Sequence, residues 1–191
     1  NDAKVDCLGR IWYGSVSVTD ESKPLGSLAR FEPANGNLEV IETGYMVPNG
    51  PAFNEDCTVM LHSDSARRVV YRYSLDAESG EVLDRSVWRR FAPTDGYPDG
   101  MTFDEDGSVW IAHWGAGKIC RYAVDGRRQE TVTIPARHPT NVCFGGRERD
   151  RLFVTSARMG SAREREPHAG ALFEVLGSGV RGIPGTPLRV V

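Results

Sequence analysis

A short module recurs four times along the chain, and this repetition constrains the fold more than any other feature. Residues 97–115 read YPDGMTFDEDGSVWIAHWG: an acidic residue, Asp99, then an alternating apolar run (Met101, Phe103), a polar turn (104–107) and a second apolar run (109–112). Strand, tight polar turn, strand is the pattern of a β-hairpin. Copies begin at Asn1 (NDAKVDCLGRIWYGS), Asn49 (NGPAFNEDCTVMLHS), Asp99 (DGMTFDEDGSVWIAH) and Asn141 (NVCFGGRERDRLFVTS). The step from the head residue to the bulky residue of the second strand is about 11 positions for Trp12, Met60 and Trp110, and about 12 for Phe153, a constancy that signals a repeat architecture.

Each repeat is roughly 43 to 50 residues long, the length of a four-stranded propeller blade. Third strands are expected over 27–31, 69–75, 118–124 and 171–176. Fourth strands are expected over 38–42, 82–91 and 129–134, with a weaker stretch after Gly179. The predicted fold is therefore all-β, a partial β-propeller with blades at 1–48, 49–98, 99–140 and 141–191. Four blades is an uncommon closed number, and Asn1 already stands at the head of an inner strand. The chain is accordingly expected to lack an N-terminal part of a larger propeller, its last copy running out into a Gly/Pro-rich tail at 182–187.

Charge excludes some partners. With 23 Lys and Arg against 26 Asp and Glu, nothing marks a nucleic-acid surface. The arginine clusters at 67–68, 89–90, 127–128 and 147–151 fall in turns and strand ends and read as solvated. No run approaches the roughly 18 apolar residues that cross a bilayer, so no membrane association is expected. The four cysteines, Cys7, Cys57, Cys120 and Cys143, lie one to a repeat without the close pairs of a zinc or redox motif. Cys7 and Cys57 read as equivalent turn positions in different blades, hence apart, and Cys120 and Cys143 as small buried hydrophobes. A reduced, cytoplasmic protein is the corresponding expectation.

Candidate chemistry collects at the strand heads. Starts of inner strands crowd one mouth of a propeller channel, so Asn1, Asn49 and Asp99 offer side-chain oxygens to a common point. The competing reading is that Asn, Asp and Gly only shape the entering loop. Pro48 and Pro98 stiffen the backbone ahead of Asn49 and Asp99. Two carboxamides and a carboxylate form a hard oxygen set, suited to Ca²⁺, Mg²⁺ or Mn²⁺, yet one negative charge is thin for a divalent ion. The loop 15–26, with Asp20 and Glu21, reads equally as a rim over the mouth or as a solvated insertion. Asp64 reads as a turn cap in preference to a channel residue, and His113 as a structural histidine or a channel residue.

The segments NDAKVDCLGRIWYGS, PNGPAFNEDCTVMLHSDS, YPDGMTFDEDGSVWIAHWGAGKICRY and PTNVCFGG together resemble the senescence-marker-protein-30, gluconolactonase and regucalcin family of six-bladed propellers. The resemblance covers essentially the whole chain and implies about four of six blades. It implies a hydrolase of sugar lactones with one divalent metal (Ca²⁺, Zn²⁺, Mn²⁺ or Mg²⁺) in the channel. Asn49 and Asp99 match two of the family's metal ligands, and Asp99 is the candidate base. Asn1 matches the asparagine that contacts substrate or a metal-bound water, although the glycine of that motif is Ala3 here. Thr140 and Asn141 match channel-lining positions, and Asp20 or Glu21 a substrate-contacting acid, with less regular spacing. The family's glutamate ligand and substrate-binding arginine are expected upstream of Asn1, so the 191-residue chain alone is expected to be inactive or impaired. The other readings are a calcium-binding, regulatory propeller and a non-catalytic interaction module. A flap over 158–170, with His168, is a further expectation, against a solvated loop.

Overall fold

The computed structural model describes residues 1–159 and 166–188, so residues 160–165 of the expected flap at 158–170 lie outside the described residues, and His168 is exposed. The strands are β1 (Ala3–Val5), β2 (Ile11–Ser15), β3 (Gly26–Glu32), β4 (Asn37–Tyr45), β5 (Pro48–Phe53), β6 (Val59–Asp64), β7 (Val69–Leu75), β8 (Val82–Arg90), β9 (Tyr97–Phe103), β10 (Val109–Trp114), β11 (Lys118–Tyr122), β12 (Arg128–Thr133), β13 (Pro139–Gly145), β14 (Arg151–Ser156) and β15 (Leu172–Val175). They form antiparallel meanders in the orders β1-β2-β3-β4, β5-β6-β7-β8, β9-β10-β11-β12 and β13-β14-β15. The predicted hairpins and third strands are present. The stretch after Gly179 does not form a fourth strand: Gly182 instead makes an isolated bridge to Asp104. Pro184 and Pro187 lack the N–H a ladder needs.

The chain divides into two compact units, residues 1–90 with the tail from Gly185, and residues 91–184. In the first unit, Trp12, Leu28, Tyr45, Phe53, Met60 and Tyr73 fill the core between the first two sheets. In the second, Trp110, Ile119, Ile134, Val142, Leu152 and Val154 do the same. Strands β5 and β6 are buried along their whole length, whereas β8 and β12 are mostly exposed. In the second sheet both faces of β5 and β6 are thus covered, with Asn49, His62, Ser63 and Asp64 among the buried residues, and the outer strands keep a solvated face.

The constant head-to-tryptophan spacing has a local cause. Asp6 is buried; its Oδ1 accepts from the backbone N–H groups of Leu8 (2.9 Å) and Arg10 (3.0 Å), and its Oδ2 from Trp12 Nε1 (2.8 Å) and Arg10 Nε (2.8 Å). Asp104 repeats the pattern with Asp106 N (3.1 Å), Ser108 N (3.0 Å), Trp110 Nε1 (3.0 Å) and Arg121 Nε (2.7 Å). One carboxylate therefore closes the turn and holds the indole of the next strand. The second repeat has Asn54 and Met60 at these places, and Asn54 Oδ1 accepts only from the Val59 N–H (2.8 Å) among the described residues.

Two cysteine expectations are corrected. Cys7 and Cys57 are disulfide-bonded, with Cα atoms 6.1 Å apart. They are not equivalent positions: Cys57 N donates to Asn54 O as Gly9 N does to Asp6 O and Gly107 N to Asp104 O, so Cys57 stands where the other turns have glycine. Its φ of 54° matches the left-handed values of Gly9 (79°) and Gly107 (74°). Cys7 occupies the second turn residue, and the offset lets the two sulfurs meet. With this bond the basis for expecting a reducing compartment is removed. Cys120 is buried as expected, but Cys143 is exposed.

Asp104→Ala should destabilise the protein by about 3–5 kcal/mol, since Arg121 and the Trp110 N–H lose a buried acceptor; urea unfolding measures it. Removing the Cys7–Cys57 link, which spans 50 residues, should cost about 4 kcal/mol. Among variants lacking the disulfide, Cys57→Gly should exceed Cys57→Ala in stability by about 1 kcal/mol because only glycine adopts this φ without strain.

Candidate active site

Three inner strands carry a β-bulge at their head. In β5, Asn49 pairs with Ser63 and Ala52 with Leu61, so Gly50 and Pro51 stand opposite His62 alone. In β9, Pro98 pairs with His113 and Met101 with Ile111, leaving Asp99 and Gly100 opposite Ala112. In β13, Pro139 pairs with Ser156 and Asn141 with Thr155, with Thr140 as the extra residue. A bulge bends its strand and re-aims the side chains beside it, so each head residue departs from the regular alternation of its strand.

In the first unit, Asn1 and Asn49 are brought together. Asn1 Nδ2 donates to Asn49 Oδ1 (2.6 Å) and to the Pro48 carbonyl (2.8 Å). Asn49 is buried; its Nδ2 donates to Ser65 Oγ (2.8 Å), and its carbonyl accepts from Ser63 Oγ (3.1 Å). Asp2, which sequence reasoning passed over, accepts from the backbone N–H groups of Gly50 (3.1 Å) and Ala3 (2.8 Å). Burial raises its pKa above the ordinary aspartate value, against the lowering effect of those two N–H groups. Asp64 acts as a cap: fully buried, it accepts from Met46 N (3.1 Å), Val47 N (3.2 Å) and Arg67 (2.8 Å), fixing the loop that leads into Asn49. Ser63 and Ser65 flank this cap in the run HSDS, the signal by which they were open to detection.

In the second unit, Asp99 is half-buried in its bulge. A Cβ on the adjacent Gly100 would lie 2.2 Å from Asn141 Cγ, so only glycine lets the Asn141 amide pack against this backbone. Asn141 Oδ1 accepts from the Val142 N–H (2.8 Å), and Thr140 Oγ1 shares a hydrogen bond with Thr155 Oγ1 (2.7 Å). His113 takes the structural role: it is buried, its Nε2 is bonded to the Tyr122 hydroxyl (2.9 Å) and its ring lies edge-on to Phe91. Asp20 stays within its own loop, accepting from Ser22 N (3.0 Å) and Ser22 Oγ (2.5 Å), which with Lys23 lowers its pKa; Glu21 is exposed.

No group of three or more His, Cys, Asp or Glu side chains able to hold a metal occurs among the described residues. The predicted ligand set holds only one such residue, Asp99, beside the carboxamide of Asn49. Its chemistry fits a hard cation: Asn49 Oδ1 accepts one hydrogen bond among the described residues and a carbonyl oxygen has two lone pairs. No helix among them is long and apolar enough to cross a membrane.

Four blade-type meanders, three of them with a bulged inner strand, define a β-propeller arrangement. The chain belongs to the SMP-30/gluconolactonase/LRE-like family, whose model matches residues 1–158. It is 35% identical over 182 residues to the pentonolactonase XacC of Haloferax volcanii, covering 92% of this chain and 61% of that protein. It is 36% identical over 177 residues to the 6-deoxy-6-sulfogluconolactonase of Pseudomonas putida, covering 91% and 60%. The crystal structure of regucalcin from Agrobacterium tumefaciens, described as a calcium-binding protein, superposes with a TM-score of 0.92 at 28% identity, covering all of this chain and 64% of that one. The chain thus spans about three fifths of the length of these relatives.

His62 generates a pH prediction. It is fully buried, neither ring nitrogen has a partner among the described residues, and burial pushes its pKa from 6.5 down to about 3. Above pH 6.5 neither the folded nor the unfolded ring is protonated. Below it only the unfolded ring takes a proton, so stability falls as the pH drops and levels off near pH 3. His62→Leu should remove about 1.4 kcal/mol per pH unit of this acid sensitivity, measured as urea-unfolding free energies between pH 6.5 and 4.

Proposed function

We propose that the full-length protein is a metal-dependent hydrolase of sugar lactones, with its chemistry at the strand heads. Family membership supports the reaction class. The observation that carries the site is the recurrence of an oxygen-bearing residue at a bulged inner-strand head, with Asn49 held by Asn1, Ser63 and Ser65. Asn49 Oδ1 and the Asp99 carboxylate would hold the divalent cation, a calcium, zinc, manganese or magnesium ion. When bound, the ion supplies electrophilic polarisation of the lactone carbonyl.

The protein side chains do the rest. Asn1, Thr140 and Asn141 orient the sugar through amide and hydroxyl groups. Asp20 and Glu21 enter only as acids that a sugar hydroxyl would take from their own loop. Asp99 accepts the proton of the attacking water at a carboxylate oxygen. Water oxygen adds to the carbonyl carbon, the ring C–O bond breaks, and the released alkoxide is protonated to give the hydroxy acid. The 191-residue chain by itself is proposed to be impaired, because the relatives are longer and one carboxylate is a weak ligand set for a divalent ion.

A second reading, a calcium-binding propeller without catalysis, draws on the description of the Agrobacterium regucalcin. One experiment separates the two: aldonolactone hydrolysis and calorimetric Ca²⁺ and Mn²⁺ titration of the full-length protein and Asp99→Ala. The lactonase reading expects hydrolysis that needs the metal and falls at least about 100-fold in Asp99→Ala, with weaker binding. Tight Ca²⁺ binding with no lactone turnover under any metal favours the second. Undiminished activity of Asp99→Ala removes Asp99 from the site.

A further inference from the structure

We infer that Ser65 is a positioning residue that anchors the Asn49 amide at the strand head in the orientation that Asn1 sets. The inference rests on the reading of Asn49 as a cation-facing oxygen, and deepens it. The two ends of a carboxamide are nearly identical in shape, so their partners decide the orientation. Here the partners form a chain with one unambiguous end. The Pro48 carbonyl can only accept, so the Asn1 atom 2.8 Å from it is the donor Nδ2. The same Nδ2 lies 2.6 Å from Asn49, which must therefore turn Oδ1 towards it. That places Asn49 Nδ2 on the other side, 2.8 Å from Ser65 Oγ.

Ser65 is held for this task. It is buried, and its own backbone N–H donates to the Val47 carbonyl (2.8 Å), two residues before Asn49. The hydroxyl and the carboxamide are thereby fixed to one short segment, whose other support is the Asp64 carboxylate. Rotating the amide by half a turn would set Asn49 Nδ2 against Asn1 Nδ2, donor to donor, whereas the Ser65 hydroxyl, a donor as well as an acceptor, can serve either end; Asn1 therefore selects the orientation and Ser65 tethers it. Without the Ser65 hydroxyl, the partner that holds Nδ2 on that side is gone. The side-chain amide is then tethered by Asn1 alone among the described residues.

The test uses the full-length protein and its Ser65→Ala and Ser65→Thr variants, with Mn²⁺ as the probe. Outer partners of metal ligands typically change affinity by about 10–100-fold, and a loss of that size is expected for Ser65→Ala in calorimetric titration. Ser65→Thr keeps the hydroxyl and should bind Mn²⁺ much as the parent does. Equal Mn²⁺ affinity in the parent and Ser65→Ala overturns the inference, as does a Ser65→Thr protein as weak as Ser65→Ala. If the parent neither binds Mn²⁺ nor opens lactones, the functional proposal fails, and the positioning claim is judged separately by NMR. Hydrogen exchange of the Asn49 side-chain amide, identified by its loss in Asn49→Asp, should be faster in Ser65→Ala. Unchanged exchange overturns the claim on its own.

Discussion

The buried carboxylate at the hairpin turn is the interaction on which the rest of this structure depends. Burying an aspartate is costly unless its lone pairs are met by donors. Asp6 and Asp104 meet that demand in the same way, with two turn N–H groups on one oxygen and an indole plus a guanidinium on the other. The indole lies in the core of its unit, so a single residue sets the turn, the hairpin register and the placement of the largest apolar side chain. The second repeat has neither the charge nor the indole, and it is this turn that the Cys7–Cys57 bond joins to its neighbour.

In the three bulged inner strands the irregularity appears at the end away from the turn. Phe103 pairs with Val109 and Met101 with Ile111 without interruption, and the shift comes only beyond them, at Asp99 and Gly100. In β5 the ladder is regular at Phe53 and Ala52 and breaks at Pro51 and Gly50; in β13 it is regular from Gly145 to Asn141 and breaks at Thr140. The extra residue is absorbed at the head in each of these strands, with or without an aspartate at the turn.

The repeat, the hairpins and the third strands were legible in the sequence because they follow from apolar alternation and turn chemistry, which are local. The bulges were not, because a one-residue shift between paired strands leaves no mark in the composition of either. The cysteine pair was misread for a related reason: aligning Cys7 with Cys57 hid the fact that Cys57 aligns with Gly9 and Gly107. The left-handed turn position, rather than the mere presence of a cysteine in each turn, was the informative coordinate. At the heads, residue types pointed to Asn1, Asn49 and Asp99, while Asp2 and Ser65 were overlooked. Both act through hydrogen bonds to a segment nearly fifty and sixteen residues away, respectively, and no periodicity records such contacts.

The two ends of β1 show how one residue type serves two purposes. Asp6, at the turn, is paired with Arg10 and saturated with donors, and its burial is compensated. Asp2, at the head, has backbone N–H partners, and burial still raises its pKa. A carboxylate whose lone pairs are all occupied has nothing left to offer a ligand, whereas the heads combine oxygen atoms with fewer fixed donors and backbones bent by bulges. The polar groups that make the fold stand at the turn ends of the inner strands, and those proposed to make the chemistry stand at the opposite ends. Substitution at one end therefore need not disturb the other, which is the arrangement that lets substrate choice change among relatives while the blade scaffold is retained.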